Sequence, residues 1–390
     1  MFCVECVMNT DCNLGCYFCF ASNKSNSKFV NIKNLELVLE NLTKITTEKK
    51  ILFKYYGGEV LLHQDEFIKH VELIKSYKFK YPELSFEIAL ITNLTIMPND
   101  KIIEFIKNKD IFYSVSMEIN EEYHNKIRHY LNGKGSFNDV ISNVKKMYEL
   151  TKEKVYIQTV MSKEWIFNTE KYLDFMNQYK DICTFGTVPM FGNNEIDKEM
   201  LQEFPNSLNK LLNYIKKEYE TNHVCNFQLF HETRSIMKLL HSNTSGRISN
   251  NKHCLAGYEQ ITLVQDKLCS CSRAYHNNID FLFYKDLDDY FIARDNLFAD
   301  LIKFDDECNI CQKINNIGCI GKCMCTDILN NNEKEKNVCK YNIIFGDYVK
   351  KLFIEMKENK KFISDLFSSL NYNSESKLKF IDNLTEICER

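Results

Sequence analysis

Cys12-Asn-Leu-Gly-Cys16-Tyr-Phe-Cys19 is the stretch on which the reading of this chain turns. Its thiols are separated by gaps of three and two residues, so one loop can wrap them around three irons of a cubane. Thiolate sulfur is the ligand that holds iron–sulfur centres. The fourth iron of such a cluster has no protein ligand, and an open metal position lets a small molecule coordinate directly. Zinc and buried free thiols are the competing readings. Zinc takes four tetrahedral ligands, and Cys3 or Cys6 would have to complete the set.

The rest of the cysteines extend the argument. The chain has 17 cysteines in 390 residues, an odd number that no fully paired disulfide framework uses up. Five lie before residue 20 and nine between Cys254 and Cys339, with Cys183, Cys225 and Cys388 apart. Metal sites in a reducing cytosol explain this better than disulfides. Glu5, Asn9 and Asp11 interrupt the apolar start, so it lacks the order of a signal peptide. No stretch has the length of an apolar membrane span. A cytoplasmic location follows as the expectation. The net charge of −3 gives no reason to expect nucleic acid or a membrane as partner.

Working outward from the cysteine loop, the pattern alternates strands and helices. Val4 to Met8, Ile51 to Tyr56, Phe86 to Thr92, Phe112 to Met117, Val155 to Val160 and Cys183 to Val188 read as strands. Helices are expected around Leu35–Leu42, from Asp65 to Tyr77 and after Pro98-Asn99-Asp100. Six strand–helix units imply parallel pairing and an α/β partial (β/α)6 barrel, with chemistry at the strand C-terminal ends. The three cysteines, Gly57-Gly58-Glu59, Thr92-Asn93, and Ser116 with Glu118 all fall on that rim. The domains expected are a barrel over 1–220, a linker over 221–253 and a cysteine-rich domain over 254–345. A helical segment over 346–390 closes the chain.

These residues resemble the radical S-adenosylmethionine superfamily, whose signature the quoted cysteines match. The resemblance implies that the open iron chelates S-adenosylmethionine and that reduction yields a 5′-deoxyadenosyl radical. Phe18 matches the aromatic position beside the adenine. Gly57-Gly58-Glu59 resembles a Gly-Gly-Glu-Pro motif, with Val60 for the proline, and implies that Glu59 pairs with the cofactor ammonium. Ser116 and Glu118 fit the ribose position, and Arg128 matches an arginine aimed at the cofactor carboxylate. Thr92-Asn93 fits a strand-end motif usually followed by glycine, where this chain has Leu94.

From Cys254 the order is Cys254, a hairpin turning near Gln265-Asp266-Lys267, then Cys269 and Cys271. Cys308, Cys311, Cys319, Cys323, Cys325 and Cys339 follow. Two zinc ribbons would suit such spacing. The order resembles the SPASM extension, which implies two auxiliary 4Fe–4S clusters and three in all. By residue matching, Cys308, Cys311, Cys319 and Cys339 would hold the outer cluster, and Cys254, Cys271 and Cys323 the inner one. Some relatives carry a further cysteine before the position of Cys254, and residues 245–253 contain none. Either Cys269 completes the inner cluster or one of its irons is open.

Relatives with this extension mostly modify peptides and proteins, drawing electrons from a flavodoxin or ferredoxin. Anaerobic sulfatase maturases share the layout, but they place an aspartate base after the cysteine matched by Cys271, where this chain has Ser272-Arg273. The expectation is therefore a peptide maturase of oxidoreductase type that crosslinks a ribosomally made peptide by hydrogen abstraction. Formylglycine formation, small-molecule dehydrogenation and epimerisation are alternatives, with Cys183 and Cys269 as candidate catalytic thiols. A non-catalytic metal or electron carrier is the rival of another class.

Overall fold

The first strand shows why the sheet is parallel. β1 (Phe2–Val7) is buried along its whole length, as a strand covered on both faces must be. The computed structural model describes residues 1–19, 29–189, 196–223, 226–228, 260–276, 283–293 and 336–356, with positions 359, 361 and 362. They fall in two units, one of Met1–Tyr156 and Leu255–Leu301, the other of Ile157–Cys254 and Ile302–Arg390.

In the first unit, β1 leads to α1 (Ile32–Glu40), which buries Leu35, Val38 and Leu39. The Asn31 side chain caps it by accepting from Lys33 N, which stabilises a helix by about 1 kcal/mol. The helix stops at Asn41, whose N–H turns back to Val38 O, so Leu42 opens a separate short helix, α2 (Leu42–Ile45). β2 (Lys50–Tyr56) alternates strictly, with Ile51, Phe53 and Tyr55 buried. A 3-10 turn (Val60–His63) leads into α3 (Gln64–Tyr77), where Phe67, His70, Val71 and Ile74 are buried. Tyr55 packs edge-on against Phe67 at 5.0 Å, which fixes the β2 face turned towards α3. β3 (Ser85–Thr92) follows, then α4 (Asp100–Lys107), capped by Asn99 Oδ1 accepting from Ile102 N at 3.1 Å. β4 (Phe112–Ser116), α5 (Glu121–Ile127) and α6 (Phe137–Thr151) complete the segment. β1, β2, β3 and β4 pair in parallel in that order.

β5 (Val155–Met161) runs across the boundary into the second unit. There α7 (Lys163–Phe167), α8 (Thr169–Tyr179), β6 (Cys183–Pro189), α9 (Lys198–Asn222) and β7 (Phe227–Gln228) follow, β6 and β7 in parallel.

The chain then returns to the first unit. β8 (Gln260–Val264) and β9 (Lys267–Cys269) form an antiparallel hairpin, its turn where Gln265-Asp266-Lys267 placed it. β8 pairs in parallel with the free edge of β1, Glu5 opposite Thr262, so this hairpin extends the N-terminal sheet. α10 (Ser272–His276) and β10 (Phe283–Tyr284) continue it. In the second unit, α11 (Lys336–Met356) stacks Tyr341 on Phe204 of α9 at 4.4 Å. This helix spans the boundary expected between residues 345 and 346. No helix among the described residues is long and apolar enough to cross a membrane. The α/β class with a parallel sheet is as the sequence implied.

Candidate functional site

The loop that carries the three cysteines leaves the end of β1 and is pinned by backbone hydrogen bonds to residues 127–131. Gly15 N donates to His129 O at 2.7 Å, Tyr17 N to Ile127 O at 3.0 Å, and Leu131 N to Asn13 O at 3.2 Å. Cys12, Cys16 and Cys19 are half-buried and free of disulfides. Cys12 Sγ accepts from Leu14 N at 3.5 Å and from the Asn93 amide at 3.9 Å. Donors on sulfur are what a ligating thiolate takes, and they stabilise its negative charge. Cys3 and Cys6 lie within β1 instead. Burial pushes the Cys6 thiol far above its usual range, with Tyr55 as its hydrogen-bond partner. Among the described residues, no three His, Cys, Asp or Glu side chains converge as a single metal ion requires.

Next to this loop stands Gly57-Gly58-Glu59. Gly57 has φ of 146°, and a Cβ on Gly58 would lie 1.8 Å from Asp11 O. Gly58 N donates to Asn9 O at 2.9 Å and Glu59 N to Asp11 O at 2.7 Å. The two glycines are therefore required by the close approach of the chain's own cysteine loop. Glu59 is buried and its carboxylate takes three donors: Leu61 N at 3.0 Å, Thr92 Oγ1 at 2.6 Å and Asn93 N at 2.7 Å. Burial raises its pKa above the ordinary carboxylate range, and these three bonds oppose the rise. Asn93 in turn donates to Asn13 Oδ1 at 3.1 Å, tying the end of β3 to the cysteine loop. Leu94, at the position expected to favour glycine, has φ of 50°, a strain of about 1 kcal/mol for a side-chain-bearing residue.

Ser116 is half-buried at the end of β4, and Glu118 lies buried just beyond it. Glu118 Oε1 accepts from Arg128 Nε at 3.2 Å and Nη2 at 2.9 Å. The Arg128 guanidinium stacks over the Phe18 ring at 4.7 Å, which joins this pair to the cysteine loop. His124 supports the arrangement, and no motif singled it out. Its Nδ1 accepts from Glu118 N at 3.1 Å, so its proton is on Nε2, facing Ser136 Oγ at 2.9 Å. Ser136 donates onward to Arg128 O. Burial first, then the nearby Arg128 charge, lowers the His124 pKa to about 3, so this imidazole is neutral.

The structure thus brings together Cys12, Cys16, Cys19, Phe18, Gly57, Gly58, Glu59, Thr92, Asn93, Ser116, Glu118 and Arg128 at one end of the first unit. Cys269 ends β9 of the hairpin and Cys271 follows it, both buried, and Cys269 Sγ donates to Cys271 O at 3.4 Å. Burial pushes the Cys269 thiol well above its usual range. Cys183 is fully buried at the start of β6. Cys254, Cys308, Cys311, Cys319, Cys323, Cys225, Cys325 and Cys388 lie outside the described residues, as does the side chain of Cys339.

An iron–sulfur cluster on Cys12, Cys16 and Cys19 fits these surroundings on two counts. The loop's thiolate receives N–H donors. In addition, Asn9 Oδ1, buried where Glu59 O meets the Asn9 amide, has no partner among the described residues and suits an incoming ammonium. When bound, cluster and S-adenosylmethionine supply the electron transfer that generates a carbon radical.

Comparison with known proteins agrees. Residues 7–176 match the model of the Radical SAM superfamily. An uncharacterised protein of Methanocaldococcus jannaschii is 32% identical over 209 residues, 52% of this chain and 67% of that protein. The cysteine-type anaerobic sulfatase-maturating enzyme of Clostridium novyi is 26% identical over 221 residues, which span 55% of each chain. The match thus spans only about half of that maturase. In fold, the solved structure described as native anSMEcpe with bound AdoMet and Cp18Cys peptide aligns with a TM-score of 0.67 at 17% identity. It covers 90% of this chain and 97% of that one. The α/β fold with a parallel sheet expected from the sequence is the fold they share. The chain belongs to the radical SAM superfamily.

Proposed function

We propose that this radical SAM enzyme oxidises a peptide, forming a crosslink after hydrogen abstraction. The observation that carries the reading is the assembly of the cysteine loop with Glu59, Asn93, Glu118 and Arg128 on one rim, beside the hairpin leading to Cys271. A solved neighbour of like fold holds a peptide together with AdoMet, which supports a peptide substrate here. Cys12, Cys16 and Cys19 hold the radical-forming cluster. The hairpin, itself part of the N-terminal sheet, leads to the later cysteines of an auxiliary region within residues 254–345. There Cys308, Cys311, Cys319 and Cys339 hold one cluster, and Cys254, Cys271 and Cys323 another, with Cys269 or an open iron completing it. These clusters accept the electron that a substrate radical must lose. A flavodoxin or ferredoxin supplies the initiating electron, and the reaction takes place in the cytoplasm.

The maturase names among the relatives favour one second reading, formylglycine formation. Reconstituted enzyme, reductant and S-adenosylmethionine, incubated with a synthetic peptide carrying a central cysteine and with its serine counterpart, separate the two. Crosslinking removes two hydrogens and leaves sulfur in place. Formylglycine formation from cysteine replaces sulfur by oxygen. Formation of 5′-deoxyadenosine with no change in either peptide would overturn both readings.

A further inference from the structure

The chain turns sharply as it leaves β3, and the turn is built from polar side chains packed against the cysteine loop. Leu94 takes the left-handed conformation at φ of 50° although its side chain is fully buried. Thr92 Oγ1 accepts from Leu94 N at 2.9 Å, and Asn93 Oδ1 accepts from Thr95 N at 2.9 Å. Asparagine and threonine supply such bonds to the backbone two residues on, and they hold a turn without help from a sheet. From α6, the buried Asn143 amide donates to Leu94 O at 3.0 Å. Asn143 stands beside Val140, Val144 and Met147 in the buried face of that helix, where packing alone would place a leucine.

The side chains of Asn93, Thr95 and Asn13 close a ring over this turn. Thr95 Oγ1 donates to Asn93 Oδ1 at 2.7 Å, Asn93 Nδ2 to Asn13 Oδ1 at 3.1 Å, and Asn13 Nδ2 to Thr95 Oγ1 at 2.7 Å. The donor directions are forced. A backbone N–H can only donate, so the Thr95 amide fixes which end of Asn93 is oxygen. The Asn93 nitrogen then fixes the orientation of Asn13, and the threonine proton has to go to Asn93. Bonds linked head to tail in this way strengthen one another. Asn93 Nδ2 has a second hydrogen beyond the ring, and it faces Cys12 Sγ at 3.9 Å.

We propose that Thr95, Asn13 and Asn143 are positioning residues that aim the Asn93 amide at the Cys12 sulfur, and thereby set how readily the cluster on Cys12, Cys16 and Cys19 is reduced. The proposal rests on the reading of those cysteines as the cluster site. Hydrogen bonds to sulfur are among the levers by which a protein sets a cluster's reduction potential. Reduction adds negative charge, an N–H donor stabilises that charge, and losing the donor makes reduction harder. Each residue has its own part in this. Asn13 adjoins Cys12 in the chain and turns the Asn93 nitrogen towards the loop. Thr95 locks the Asn93 oxygen through both its N–H and its hydroxyl. Asn143 holds the Leu94 carbonyl, and with it the left-handed angle that lets Asn93 and Thr95 face each other.

The test is a redox titration of the reconstituted enzyme, followed by electron paramagnetic resonance of the reduced cluster. The signal of the N-terminal cluster is the one absent from a Cys12→Ala/Cys16→Ala/Cys19→Ala variant. Thr95→Val removes the hydroxyl and keeps the shape, and Asn143→Leu removes the amide at similar volume. In each, the ratio of reduced to oxidised cluster at a fixed solution potential should fall about tenfold, the lower end for a hydrogen bond to a charged group. For a one-electron couple that is a shift of about 59 mV to more negative potential. Thr95→Ser keeps the hydroxyl and should restore the wild-type potential. Iron content should match wild type in Thr95→Val, which separates a tuned potential from a damaged site. An unchanged potential in either folded variant would overturn the proposal, and so would loss of iron from Thr95→Val in place of the shift. Thr95→Val decides the matter alone if Asn143→Leu fails to fold. If the wild type gives no signal that the triple variant lacks, the cluster reading falls and takes this proposal with it. If that signal is present and its potential does not move, only the assignment of the positioning residues falls.

Discussion

The rim above β2, β3 and β4 and the edge where β8 meets β1 both bury carboxylates, with opposite kinds of neighbour. On the rim, Glu59 is held by two backbone N–H groups and a threonine hydroxyl, and Glu118 by the Arg128 guanidinium stacked on Phe18. The bonds from Thr92 and Asn93 fasten the end of β3 to that of β2, and the Arg128 stack on Phe18 ties Glu118 to the cysteine loop. At the edge, Glu5 is met by an ammonium and two hydroxyls, groups whose protons and rotors can move. The contrast separates acids held by fixed backbone donors and a stacked guanidinium from an acid held by side-chain groups that can rotate.

That contrast is open to breaking by substitution, and the largest effect belongs to Arg128. Arg128→Leu leaves Glu118 buried without its cation and should destabilise the chain by roughly 3–5 kcal/mol in chemical denaturation. A loss below about 1 kcal/mol would mean that the rim is not the scaffold described. Glu59→Ala should come next, at about 2–4 kcal/mol, because it strips the partner from three donors, two of them backbone N–H groups. Glu59→Gln, which keeps an acceptor, should cost less.

The pH dependence sharpens the same comparison. His124 has a folded pKa lowered to about 3, so the unfolded chain binds the proton more readily below 6.5. Stability contributed by His124 is present above pH 6.5 and is lost as pH falls towards 3. From about pH 7 to about pH 5 the loss is roughly 2 kcal/mol, and thermal denaturation of His124→Gln should flatten it. Glu59 has the opposite slope. Its folded pKa is raised above 4.5, so its contribution weakens as pH rises above that value, and Glu59→Gln should remove that slope. The smallest effect expected is Thr262→Val, about 1 kcal/mol, because Glu5 keeps two other partners.

Much of this was legible in the chain itself. The apolar runs Ile51–Tyr56 and Phe86–Thr92 and the asparagine cap before α4 are local signals, and local pairing decides them. The hairpin turn at Gln265-Asp266-Lys267 was local too. Its pairing with β1 was not, since a parallel partner more than 250 residues away leaves no periodicity to read. Glu5 reads in the sequence only as an interruption of an apolar start. Its partners stand 49, 51 and 257 residues away, and only folding brings them together. The rim residues were found through motif order, but their mutual bonds were not. Glu59 to Thr92 and Glu118 to Arg128 are contacts between motifs, whereas spacing describes each motif alone. The strain at Leu94 was marked by one clue, a missing glycine, whose meaning is a backbone angle.

The central claim is that Cys12, Cys16 and Cys19 hold a radical-forming cluster separate from clusters held by the later cysteines. Iron and sulfide counts on wild type and on a Cys12→Ala/Cys16→Ala/Cys19→Ala variant test it most directly, read with 5′-deoxyadenosine formation. The account predicts about twelve irons falling to about eight, four per cubane, with 5′-deoxyadenosine abolished. An unchanged iron count, or 5′-deoxyadenosine still formed by the variant, would contradict it.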